Sequence, residues 1–375
     1  MPAFPQVKWY DASSIKKELL MIPKDGLCYF SQYGIYEPRK SGSLKSSLQS
    51  KLGIRPYIYG VDFFYASGSW FTVISIAKAK KNLINIVQTS WREYRAIPCF
   101  SWHLENPYVP SGYDNRMGCR YRFSKQIPTY PKEHQYVIKE ILEGTGEMCG
   151  KGNLSGKDNV TVYRNPRAWF EARCKEVAEI INQLTDDNGK PIPFIFRLWH
   201  ECEDSWMWWG KSSVSVEDYK KFFILTEKLI RKDAPKAEIL WGYCPDRFWN
   251  SDTEFMMRYP GDKFVDIIGF DDYSIGKSED ALRKTIKRAQ VVSAVAKRKN
   301  KVAALFETGN TRMEISGFCM GYLNKVLMAE GVGLSLVQLW STAKFITDDQ
   351  IEDRRTFVNA PNIIVYRNMK SEKRQ

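Results

Sequence analysis

The sequence predicts an α/β fold, a single (β/α)8 TIM barrel with a long loop after the third strand. Three observations carry this expectation. Eight short apolar segments rich in β-branched and aromatic residues recur along the 375 residues. They read as near-continuous apolar runs without clean alternation, as parallel strands buried on both faces do. Stretches with apolar residues at the helical period lie between them. An open doubly wound sheet usually has fewer strands, so the count of eight favours a closed barrel.

In chain order the segments are Leu27–Gln32, Pro56–Phe63, Ala96–His103, Pro193–Glu201, Ala237–Cys244, Val265–Tyr273, Val302–Thr308 and Gly333–Trp340. Among the intervening helices, Pro166–Leu184 starts on a proline and spaces Phe170, Val177, Ile181 and Leu184 along one face. In Val216–Lys232 the residues Tyr219, Phe222, Phe223, Thr226, Leu229 and Ile230 share a face, and in Ser278–Lys299 the set is Leu282, Ile286, Ala289, Val292 and Ala296. Residues 104–164 are rich in Gly, Pro and Tyr and have little period, so they read as a loop on the active face. Residues 345–375 read as a closing segment, and the whole of 1–375 as one catalytic domain.

Composition narrows the function classes. The chain is 43% apolar and 14% aromatic, enough for a large core. No apolar run reaches the about 18 residues of a membrane span, and the N-terminal stretch lacks a signal-peptide pattern. The eight cysteines form no CxxC pair and are expected to be mostly reduced thiols. The net charge of +13 raises a nucleic-acid partner, but the basic residues fall on helix-like stretches and the tail without a zinc-finger or RNP-like motif, so a solvated surface is expected. GTGEMCGKGNLSG fails the phosphate-loop pattern and G-x-S-x-G is absent.

In a barrel of this kind chemistry collects at the C-terminal strand ends. There stand Trp102 and His103 on the third segment, His200 and Glu201 on the fourth, Asp271, Asp272 and Tyr273 on the sixth, Glu307 on the seventh and Trp340 on the eighth. Two of the chain's three histidines are in this set. A carboxylate closing a buried apolar strand is costly unless it is paired or used. Two of them, Glu201 and Glu307, facing one cleft point to glycosidase chemistry, one protonating the leaving oxygen and the other attacking the anomeric carbon. His200-Glu201 begins an HExxH-like string, but Asp204 stands where the second histidine belongs, so no metal is expected. Trp102, Trp206, Trp208, Trp209 and Trp340 flank the expected cleft, where indole faces could stack on pyranose rings. Trp208 and Trp209 are expected to pack, since consecutive residues cannot both face a sugar, and Trp206 and Trp340 to bind.

These stretches resemble glycoside hydrolase family 26, the β-mannanase family. FRLWHECEDSWMWWG is similar to its acid/base motif, FSWHLENPY to its third-strand motif, IIGFDDYS to its sixth-strand segment, ALFETGN to its nucleophile motif and VQLWSTA to its eighth-strand tryptophan. The resemblance implies Glu201 as general acid/base and Glu307 as nucleophile, on strands four and seven. It implies His103, Asn106, His200, Trp206, Tyr273 and Trp340 as the subsite residues nearest the scissile bond, with Tyr273 orienting Glu307, and Trp102 is expected to bind substrate from its strand-end position. It further implies a retaining mechanism on β-1,4-mannan without cofactor, a secreted or cell-surface setting, and a monomer whose partner is a polysaccharide. Other β-glycans, such as mixed-linkage glucan or β-1,3-xylan, and a non-catalytic glycan-binding barrel are the alternatives. One departure stands beside the acid/base: Glu203 and Asp204 follow it, and two acids near a buried Glu201 would raise its pKa.

Overall fold

A computed structural model describes residues 7–38, 40–65, 76–104, 106–107, 137–147, 163–203, 207–309, 315–340 and 350–367. Eight strands form the barrel: β1 (Cys28–Tyr33), β2 (Ile58–Asp62), β3 (Ile97–Ser101), β4 (Phe194–Arg197), β5 (Ile239–Tyr243), β6 (Ile267–Asp271), β7 (Val302–Thr308) and β8 (Leu336–Leu339). Each runs parallel to the next, and β8 closes onto β1 in the register Tyr29 to Leu336 through Gln32 to Leu339. Every residue of these strands is buried. Helices cover the outer face while side chains fill the inside, which explains the unbroken apolar runs.

The helices start where their caps dictate. Asn165 caps Pro166–Ile181, Ser215 caps Val216–Asp233 and Ser278 caps Glu279–Lys299, each side chain accepting a first-turn N–H. The middle helix buries Tyr219, Phe222, Phe223, Thr226 and Ile230, five of the six residues of the expected face.

Two local features differ from the sequence expectation, and a third, the closing segment, takes the form of a helix and short pairing strands. Strand four was expected to reach Glu201 but ends at Arg197, and Leu198–Glu201 forms a turn in which Trp199 (φ 48°) and Glu201 (φ 55°) are left-handed. An apolar run cannot reveal a turn whose residues are all buried. Within the region read as loop, Val137–Glu143 is a helix that buries Val137, Ile138 and Ile141. It is too short for periodicity to stand out. After β8, the helix Ile351–Val358 leads to Ile363–Ile364, which pairs with β1, and to Tyr366–Arg367, which pairs antiparallel with Ile54–Arg55.

Candidate active site

Tryptophans hold the turn beyond β4. Trp199 is buried, stacks on Phe222 at 4.5 Å and donates from Nε1 to Thr226 at 3.1 Å. Its carbonyl accepts from the Tyr219 hydroxyl at 2.8 Å, and Trp209 Nε1 donates to the His200 carbonyl at 2.8 Å. Trp208 Nε1 reaches the Leu104 carbonyl at 2.9 Å. The backbone N–H of Glu201 bonds the Cys244 carbonyl at 2.8 Å. Trp208 and Trp209 thus pack, as expected. The Trp209 indole and the Tyr219 hydroxyl satisfy carbonyls of the strained segment, and left-handed non-glycine residues persist only under such constraint.

Glu307 lies on β7 and receives two side-chain donors. Arg197 Nη2 is ion-paired with its Oε1, and the Tyr273 hydroxyl donates to Oε2 at 2.5 Å. The Arg197 guanidinium also holds Asp271 at 2.7 Å. One carboxylate oxygen from each of Glu201, Asp271 and Glu307 lies within 4.8 Å of the other two. Asp272, the second acid of the Asp-Asp pair, turns away and accepts from Ser274, Thr285 and Arg288.

Electrostatics separate the carboxyls. Burial pushes Glu201 well above the usual carboxylate range, reinforced by Asp271, Glu307 and Asp246 and opposed by Arg197. Burial also raises Asp271, against Arg197. Glu203, expected to raise Glu201, is not among these causes. It is buried against Arg258 at 3.1 Å, and the field comes from Asp271, Glu307 and Asp246 instead. Asp204 lies outside the described residues.

The remaining expected residues fall into three groups. His103, His200 and Trp340 adjoin one another: the two imidazoles meet edge-on at 4.6 Å, and the indole lies 6.2 Å from His103 and stacks on Tyr33 at 3.9 Å. His103 Nδ1 contacts Asp62 at 2.5 Å. Burial alone would raise Asp62, but His103, Ser101 and the Phe64 N–H outweigh it and leave the carboxyl below its ordinary value. His200 is buried, and burial together with Arg197 and His103 keeps its pKa well below normal, so it is neutral near pH 7. Asn106 is also buried. Trp102 is a correction: at 0% exposure it is enclosed by Phe170, Phe196 and Trp199 and presents no face to a sugar. Adjacent residues point to opposite faces, so with His103 turned to Asp62, Trp102 turns to the helix Pro166–Ile181. Trp206 lies outside the described residues.

Residues 165–325 match the family model of glycosyl hydrolase family 26. This stretch of the chain resembles glycosyl hydrolase family 26. The matched segment carries Glu201, Tyr273 and Glu307. Among curated proteins the chain is similar to the mannan endo-1,4-beta-mannosidase of Bifidobacterium adolescentis, 31% identical over 147 residues, covering 38% of this chain and 15% of that protein. It is also similar to the mannan endo-1,4-beta-mannosidase of Bacillus subtilis, 27% identical over 235 residues, covering 61% and 54%. The chain therefore spans about half the length of these relatives, or less. Among solved structures it superposes on GH26C from Muricauda sp. with a TM-score of 0.78 at 20% identity, covering 94% of this chain and 91% of that one. For a GH26 beta-mannanase from Bacteroides ovatus the TM-score is 0.74 at 21% identity, with 95% of each chain covered. At these identities the likeness is one of fold.

Arg197, Asp62 and Asp246 complete the site although the sequence did not mark them as site residues, and Asp271 joins them from the end of the sixth strand. Arg197 sits inside an apolar run, and a lone buried arginine there is a signal in retrospect: it requires buried acids for company. The three clustered carboxylates could in principle hold a cation. Arg197 already ion-pairs with two of them, which supplies the positive charge the cluster needs.

Proposed function

We propose that the chain is a retaining glycoside hydrolase that cleaves internal β-1,4-mannosidic bonds of mannan-type polysaccharides. The observation that carries the reading is one pair of carboxyls in opposite environments. Glu307 is met by a guanidinium and a phenol, while Glu201, within 4.8 Å, is desolvated and surrounded by acids. In retaining enzymes the two carboxyls stand about 5–5.5 Å apart, whereas inverting enzymes leave room for water at about 6.5–9.5 Å.

In this reading Glu307 is the nucleophile. Arg197 supplies its counter-charge, and Arg197 and Tyr273 together fix the oxygen that attacks the anomeric carbon. Glu201 enters protonated, donates to the leaving oxygen, and then takes a proton from the water that hydrolyses the glycosyl-enzyme. Its raised pKa is the property a general acid near neutral pH requires. His103, with Asp62 behind it, and neutral His200 meet sugar hydroxyls beside the scissile bond, and Trp340 stacks on a ring. Asn106 and Trp206 are further substrate contacts implied by the family resemblance. The mannan preference rests on the named relatives, the bond-breaking chemistry on the two carboxyls. Cofactor-free turnover by a monomer, with the polysaccharide as its partner, is part of the proposal.

The test is a reducing-end assay on mannan, galactomannan, lichenan and β-1,3-xylan with the wild type and Glu307→Ala. Rapid release from mannan that Glu307→Ala abolishes, with the melting temperature retained, supports the reading. Saturable oligosaccharide binding without new reducing ends would make the chain a glycan-binding barrel, and preference for another polymer would move the specificity.

A further inference from the structure

The loop leaving β5 reads Cys244-Pro245-Asp246-Arg247-Phe248-Trp249 and presents one aromatic ring to solvent. Phe248 is 48% exposed between Asp246 and Trp249, which are both buried. A single exposed apolar side chain needs no explanation by itself. This one combines place, rigidity and an open face. The loop starts at the carbonyl of Cys244, which receives the N–H of Glu201 at 2.8 Å, so it adjoins the turn that carries the proposed proton donor. Asp246 is close enough to help raise the Glu201 pKa.

The ring is held in place from both sides. The Phe248 N–H donates to Asp246 Oδ1 at 3.1 Å, an Asx-type turn. Next to it, Trp249 is anchored 4.7 Å from Phe255 and 6.1 Å from Phe270. The Arg247 guanidinium lies 4.7 Å from the centroid of the Phe248 ring. A cation over one face leaves the opposite face as the exposed one and stiffens the ring. A preordered aromatic surface backed by a cation suits a pyranose, whose apolar C–H face stacks on the open side of the ring.

We propose that Phe248, held from behind by Arg247, forms a subsite for a hexopyranosyl unit on the leaving-group side of the scissile bond. The side follows from Glu201: the acid protonates the departing oxygen, so the loop adjoining its turn meets the departing chain. The inference rests on the glycosidase reading of Glu201 and Glu307.

The experiment compares wild type, Phe248→Ala and Phe248→Trp on mannohexaose, whose chain extends past the cleavage point, and on an aryl mannobioside, whose leaving group is a single small ring. Losing one sugar-stacking face should lower the ratio of kcat/KM on mannohexaose to that on the aryl substrate about tenfold in Phe248→Ala, and tryptophan should restore it. A ratio within about twofold of wild type, or no restoration by tryptophan, overturns the subsite. Wild-type turnover of the aryl substrate tests the glycosidase reading separately. If the wild type turns over neither substrate, calorimetric titration of mannohexaose into wild type and Phe248→Ala decides: about tenfold weaker binding in the variant upholds the subsite, and equal or undetectable binding in both rejects it.

Discussion

Replacing Arg197 with methionine keeps most of the side-chain volume and removes the one cation held between Asp271 and Glu307. In the wild type three carboxyls share this space, each offering an oxygen within 4.8 Å of the others. At an effective dielectric constant of about 20, two unit charges 4.8 Å apart repel by about 3.5 kcal/mol. Without the guanidinium that repulsion stands unopposed at the attacking carboxylate. With its counter-charge and its anchor gone, kcat near neutrality should fall about 100-fold or more. Removing one partner of a buried ion pair also costs about 3–5 kcal/mol of stability. The sign of its pH dependence follows. In the variant, acids with raised folded-state pKa values stabilise the fold while they are protonated, and that contribution fades as pH rises. The deficit against wild type should shrink between about pH 7 and pH 5. The assay is a pH profile on an aryl mannobioside, with melting temperatures recorded in parallel. Arg197→Lys, which keeps a charge but not the fork, should fall between the two. A kcat near neutrality within about threefold of wild type, with an equal melting deficit at both pH values, would refute the assignment of Arg197 as the counter-charge of Glu307.

Other consequences follow from single contacts. The raised Glu201 pKa predicts that the alkaline limb of wild-type activity lies above the ordinary carboxylate range, since the acid must be protonated to donate. Glu201→Gln should remove that limb while residual turnover persists on substrates with good leaving groups, as measured by pH-dependent kcat/KM. Tyr273→Phe deletes the 2.5 Å donor to Glu307 and should lower kcat about 10- to 100-fold, with less effect on KM, measured by steady-state kinetics. Asp62→Asn removes the charge behind His103 and should destabilise the fold at neutral pH by about 1–3 kcal/mol. Because the Asp62 pKa is depressed in the folded state, that deficit should close as pH falls below about 4, which melting curves across pH would check. Gly309→Ala would set a methyl 2.4 Å from the Trp340 carbonyl and should cost about 1–3 kcal/mol, read as a lower melting temperature.

The sequence on its own determined the barrel and placed Glu307 on its seventh strand; it assigned Glu201 to the end of the fourth, and the structure sets it past that end. Strand and helix signals are local. An apolar run bounded by turn residues, or a serine before a periodic stretch, means the same thing wherever the chain goes next, so Ser215 and Ser278 cap as their neighbours imply. Glu201 and Glu307 were legible because a carboxylate ending an apolar run is costly wherever it lies. Tertiary structure decided which charges meet. Glu203 stands next to the proton donor's turn in sequence yet pairs with Arg258, whereas Asp246 and Asp271, distant along the chain, set its field. Arg197 reaches Glu307 across a separation of 110 residues, and Asp62 reaches His103 across 41. Trp102 looked like a sugar platform by position and is sealed behind His103, because it packs on Phe170 and Trp199 while His103 turns to Asp62. Composition and period describe a residue's neighbours along the chain. Electrostatic fields and stacking faces depend on distances of a few ångströms between strands, and those exist only once the sheet has closed on itself.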